Sequence, residues 1–132
     1  MMEKPKVALI AHDKKKIDLI MFVKENLETF KACELYATGT TGKFLSEKLK
    51  LIVNTVHSGP LGGDIQIGSM LVEGRMDFVI FLRDPLTAQP HEPDISALMR
   101  VCDVLNIPLA TNLATAEALV VELKSILKNS KT

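Results

Sequence analysis

The stretch Lys6-Val7-Ala8-Leu9-Ile10-Ala11-His12-Asp13 decides the fold. From Val7 to Ala11 the residues are apolar without a break. An unbroken run of that length suits a strand covered on both faces, as in a parallel sheet, and it is far too short to span a bilayer. The run stops at His12 and Asp13, and Asp13 can cap a helix. Beyond it, Ile20, Val23, Leu27 and Phe30 recur at helical spacing.

The same alternation repeats along the chain. Cys33–Ala37 reads as a second strand, and Lys43–Leu49 as a short helix. Leu51–Val56 is the third strand, although Asn54 and Thr55 interrupt it. Ser58–Asp64 is a loop, and Ile67, Met70 and Leu71 belong to a helix that Gly74 can stop. Phe78–Leu82 is a fully apolar strand. The segment 84–93 contains Pro85, Pro90 and Pro93 and is expected to be irregular. Asp94 begins a helix with Ile95, Leu98, Met99, Cys102 and Leu105 on one face. Ile107–Thr111 is the fifth strand, and Ala116, Leu119, Val120, Leu123 and Leu127 mark a last helix before a frayed tail from Lys128. Five strands alternating with five helices predict an α/β domain, with a mainly parallel sheet and helices on both faces.

The chain has 132 residues, enough for one domain with a self-sufficient core. Lysine and arginine number 16, as do aspartate and glutamate, so the formal net charge is zero. That balance argues against nucleic-acid binding driven by bulk charge. The charged segment Met1–Lys6 is no signal peptide, which predicts a cytoplasmic protein without a membrane partner. Cys33 and Cys102 stand apart in apolar surroundings and read as reduced core thiols.

In open α/β sheets, ligands bind outside the carboxyl ends of the strands. The unusual polar residues of this sequence fall there: His12 and Asp13, Thr38–Gly42, Ser58–Asp64, Asp84 with His91, and Asn112. Thr38-Gly39-Thr40-Thr41-Gly42 has small residues and hydroxyls at a strand-to-helix turn, which suits a phosphate. The spacing is neither a Walker A loop nor a dinucleotide fingerprint, and a simple helix cap at Thr41 is the competing reading. Lys14, Lys15 and Lys16 read first as a solvated helix start, and one of them can reach back as a phosphate counter-charge. In Ser58-Gly59-Pro60-Leu61-Gly62-Gly63-Asp64 the glycines allow close backbone approach to a ligand, and Asp64 is either a helix cap or a general base in a dry site. His12 and His91 can polarise a carbonyl, whereas His57 reads as packing beside the third strand. Asp84 and Asp94 can orient a histidine, or Asp94 can simply cap its helix. No histidine has zinc-site spacing, and no serine or cysteine nucleophile motif is present.

Ala11-His12-Asp13, Tyr36–Gly42 and Ser58–Asp64 closely resemble the methylglyoxal synthase family. So do Arg83-Asp84-Pro85-Leu86, Pro90-His91-Glu92-Pro93-Asp94 and Ile107–Asn112. The resemblance implies a three-layer α/β/α fold whose five-stranded parallel sheet has the order 3-2-1-4-5. It implies a cofactor-free, metal-free lyase that converts dihydroxyacetone phosphate to methylglyoxal and inorganic phosphate, typically as a homohexamer and sometimes inhibited by phosphate. By the same resemblance Asp64 is the catalytic base, and His91 and His12 lie near the substrate carbonyl. Lys16, Thr38, Gly39, Thr40, Thr41, Ser58 and Gly59 contact substrate and phosphate, and Asp13, Asp84 and Asp94 are supporting acids. The regulatory domain of carbamoyl-phosphate synthetase is similar in fold and binds effectors at an equivalent pocket, so a non-catalytic sensor is the rival reading. A sensor needs the phosphate turn but not a base with histidines beside it.

Overall fold

The apolar runs come together as one parallel sheet. The computed structural model of the chain describes residues 4–56, 63–86 and 92–130, with the backbone alone at 63–66, 92–95 and 130. Strands β1 (Lys6–Ala11), β2 (Glu34–Thr38), β3 (Val53–Val56), β4 (Phe78–Leu82) and β5 (Leu109–Ala110) are ordered β3-β2-β1-β4-β5. Every strand pair is parallel. The helices are α1 (Lys16–Glu25), α2 (Leu27–Lys31), α3 (Gly39–Leu49), α4 (Gly63–Val72), α5 (Glu92–Leu105) and α6 (Leu113–Ser130), with a 3-10 turn at Asp13–Lys15. This is the three-layer arrangement and strand order expected from the family resemblance.

Burial explains why the central strands do not alternate with polar residues. Val7 and Leu9 join Leu35, Ile80 and Leu82 in a core shared with α1, α2, α3 and α6. Ala8 and Ile10 join Val79 and Phe81 in a second core shared with α4 and α5. From Val7 onward in β1, and throughout β4, each successive side chain therefore meets a helix layer instead of water.

Local chemistry moved several boundaries. The helix read through Ile20–Phe30 breaks at Asn26, whose side-chain amide donates to the Phe22 carbonyl at 2.9 Å and competes with the helical ladder. The third helix starts at Gly39, not Lys43, so the glycine–threonine run is its first turn rather than a turn before it. A Cβ at Gly42 would run into the methyl of Thr55 on β3, so glycine here permits close packing of α3 on the sheet. Helix α5 begins at Glu92, with Pro93 in the first turn, where its missing N–H disturbs no helical bond. Strand β5 shrinks to Leu109–Ala110 because the Ile107 amide instead closes α5 on the Cys102 carbonyl at 2.9 Å. Helix α6 continues to Ser130, past the expected fraying at Lys128.

Gly74 does end α4. It adopts φ +73°, and the Arg75 amide reaches the Met70 carbonyl at 2.9 Å. Among the described residues, no helix is long and apolar enough to cross a membrane.

Candidate active site

Parallel strands deliver their carboxyl ends to one edge, and the strand order reverses between β1 and β4. Pairing of β1 with β4 runs to Ala11↔Leu82, and the His12 amide continues it by donating to the Leu82 carbonyl at 3.1 Å. One step further, the Asp84 amide donates to His12 Nδ1 at 2.8 Å. A ring nitrogen that accepts from an amide carries no proton, so the neutral imidazole bears its hydrogen on Nε2 and presents a donor there. The ring is 4% exposed and stands edge-on to Phe81, with centroids 5.3 Å apart. Asp84 is also buried, and its Oδ1 accepts from the Leu86 amide at 3.1 Å in a local turn.

Asp13 and Lys16 follow His12 in the chain. The expected capping bond from Asp13 is not made; His12 occupies the cap position, and Asp13 Oδ1 instead meets Lys16 Nζ at 3.1 Å. Asp13 is largely in water while the Lys16 side chain is mostly covered, so the ion pair itself contributes little stability.

Thr38 ends β2 and caps α3 with extended backbone, though its side chain makes no capping bond. Gly39, Thr40 and Thr41 form the first turn of α3, whose leading N–H groups lack helical acceptors. Thr41 therefore lies within the helix and does not cap it. Its hydroxyl is fully buried and has no hydrogen-bond partner among the described residues. A buried hydroxyl left so costs about 1–3 kcal/mol. Together with the start of an 11-residue helix, it makes a donor set of the kind that holds a phosphate.

The other acids are located through their helices. Helix α4 ends at the amino edge of the sheet, where the Asp77 amide donates to the Lys6 carbonyl at 2.8 Å. Ten residues of helix rise about 15 Å, which carries the opposite end of α4, with Asp64, toward the carboxyl edge. Helix α5 likewise ends at the amino edge, because the Val79 amide donates to the Pro108 carbonyl just after it. Its start, with Asp94, therefore lies toward the same edge as Asp64. Helices α4 and α5 pack against each other on the face that also carries Phe81 and His12. Ser58, Gly59 and His91, and with them His57, lie outside the described residues.

The sequence reading missed that the Asp84 main-chain amide orients His12. No residue type signals a backbone donor. The start at Gly39 was missed because glycine and threonine are poor helix formers, and the packing of Gly42 on Thr55 overrides that preference. Burial pushes the Cys33 and Cys102 thiols up to about 11, so both stay protonated and unreactive at neutral pH. Among the described residues, no cluster of histidine, cysteine or acidic side chains is placed to hold a metal.

The MGS-like domain model matches residues 18–111. A methylglyoxal synthase of Cupriavidus pinatubonensis is 57% identical over 126 residues, covering 96% of this chain and 97% of that protein. One from Moorella thermoacetica is 63% identical over 111 residues, covering 84% of this chain and 87% of its own length. The crystal structure of methylglyoxal synthase from Elizabethkingia anophelis NUHP1 superposes with a TM-score of 0.84 at 46% identity, covering 89% of this chain and 77% of that one.

Proposed function

The chain belongs to the methylglyoxal synthase family, and we infer that it catalyses the conversion of dihydroxyacetone phosphate to methylglyoxal and inorganic phosphate. The observation that carries the reading is a pairing at one sheet edge. A phosphate-type donor set at the start of α3 shares that edge with a buried imidazole oriented by Asp84.

In this reading Asp64 removes a proton from the hydroxymethyl carbon of the ketone. A carboxylate is a weak base, so the carbon acid must be strengthened by donors at the carbonyl oxygen. His12, through Nε2–H, and His91 supply them; a preorganised donor of this kind is worth about 3–4 kcal/mol. The electron pair left on carbon forms an enediolate. It then expels phosphate from the neighbouring carbon as that C–O bond breaks, and the enol released tautomerises to methylglyoxal. Expulsion needs the C–O bond roughly perpendicular to the enediolate plane. An isomerase using the same intermediate would hold that bond in the plane. The phosphate grip therefore selects the product. Thr38, Gly39, Thr40 and Thr41, with Ser58, Gly59 and Lys16, form that grip, while Asp13, Asp84 and Asp94 hold lysine and imidazole in position. The route uses protein groups alone, with no cofactor or metal.

The enzyme works in the cytoplasm as a homohexamer. Ile17 and Met21, on successive turns of α1, are 71% and 55% exposed and offer apolar surface for such an assembly to cover.

The test is to supply dihydroxyacetone phosphate to the purified protein and to follow dicarbonyl and free phosphate together. Equimolar appearance of both is expected. Binding without turnover would instead make the chain a sensor.

A further inference from the structure

A cavity of about 870 Å³ opens at the amino-terminal edge of the sheet, at the opposite end of the strands from the candidate active site. Its floor is apolar, built from the buried side chains of Phe30, Leu35 and Leu51. Four lysines line it: Lys4, Lys6, Lys31 and Lys50. Glu34 is the acid among the lining residues, and its carboxylate accepts the Tyr36 hydroxyl at 2.7 Å. Two further acids stand close by: Glu28 pairs with Lys31 at 3.6 Å, and Asp77 accepts the Lys6 amide at 2.8 Å. Lys4 and Lys50 make no ion pair among the described residues, so the lining keeps a positive excess in a chain of zero net charge.

Lys50 adds a backbone observation. It sits at the end of α3 in the left-handed region, with φ 58°. The corresponding positions after α4 and α5 are Gly74 and Asn106, the residue types that tolerate this conformation. Lysine stands here although its side chain disfavours that backbone. The negative ends of α2 and α3 favour Lys31 and Lys50 as near neighbours, but they do not explain why Lys4 and Lys6 line the same cavity. Ile52, also in the lining, is 90% exposed and extends the apolar floor to the rim.

We propose that this cavity binds a small amphipathic organic anion, its apolar body on the Phe30–Leu35–Leu51 floor and its acid group among the lysines. The volume lies within the usual range for small-molecule sites, and an apolar lining with a few convergent charges is their usual make-up. A second copy of the same face is a poor occupant, because it would set lysines against lysines.

The test uses the full chain and octanoate as probe, with titration calorimetry as the readout. Octanoate is expected to bind saturably, acetate at the same concentration to bind far more weakly, and saturating inorganic phosphate to leave octanoate binding unchanged. The pair Lys31→Gln and Lys50→Asn removes two charges while asparagine suits the left-handed backbone, and it should weaken octanoate about tenfold with turnover unaltered. Lys50→Asn alone should weaken it by a smaller factor, which guards against a folding defect in the double variant. No saturable octanoate binding, binding abolished by phosphate, or equal affinity in the double variant would each overturn the proposal.

Discussion

The Asp84 amide donates a 2.8 Å hydrogen bond to His12 Nδ1 across the point where the strand order reverses. This contact gives the imidazole one orientation and one neutral tautomer. His12→Asn retains an acceptor near the Nδ1 position, whereas His12→Phe fills the volume but leaves the buried amide unpaired. Both variants should lose turnover by about 10²–10³-fold, as expected for a missing preorganised donor. Only the phenylalanine variant should also lose about 1–3 kcal/mol of stability. Denaturation curves and turnover, measured together, separate the two effects. Equal stability of the two variants would argue against the orienting role of the amide.

Thr41 yields a prediction in which stability and binding move apart. Thr41→Val keeps the shape and removes a buried hydroxyl that has no partner among the described residues. Stability should hold or rise by up to about 1 kcal/mol. Affinity for phosphate-bearing ligands should fall about tenfold or more, the usual cost of a hydrogen bond lost to a charged group. A variant less stable but unchanged in phosphate affinity would mean that the hydroxyl serves the fold.

Gly42 is tested by a compensating pair. Alanine favours a helix by about 1 kcal/mol over glycine, but overpacking costs about 1–3 kcal/mol. With the Thr55 methyl in the way, the steric term should win and Gly42→Ala should lower the melting temperature. Thr55→Ser removes that methyl and should restore most of the loss. If Gly42→Ala is harmless, α3 does not pack on β3 as closely as described.

The two thiols set a pH window. Burial raises both to about 11 from an ordinary value of 9.0. The folded state therefore prefers the neutral thiol. That contribution is fully present below about 9 and is lost as pH rises through about 11. Replacing both cysteines with alanine should flatten the fall in stability over this range, measured by denaturant titration at stepped pH. An unchanged slope would mean that neither thiol is desolvated.

How much was legible in advance depended on which force set each feature. Phe78–Leu82 was read with its observed bounds because burial on both faces leaves an unbroken apolar run. The carboxyl edge could likewise be read, since His12, Thr38 and Asp84 are buried polar residues at or within two residues of the ends of strands. Features set by the backbone or by a distant neighbour left little trace. The break at Asn26 depends on one side chain reaching Phe22, the first turn of α3 on the space beside Thr55, and the short β5 on an amide taken by Cys102. The strand order itself came from family resemblance, because periodicity reveals strands but not their neighbours.

The most direct measurement compares Asp64→Asn with the unaltered enzyme, recording turnover of dihydroxyacetone phosphate beside the affinity for inorganic phosphate. Asparagine keeps the size of the side chain and removes its basicity. Turnover should fall by about 10²–10⁴-fold while phosphate binds within about twofold of normal. Near-normal turnover in that variant would contradict the account, because some other group would then be taking the proton.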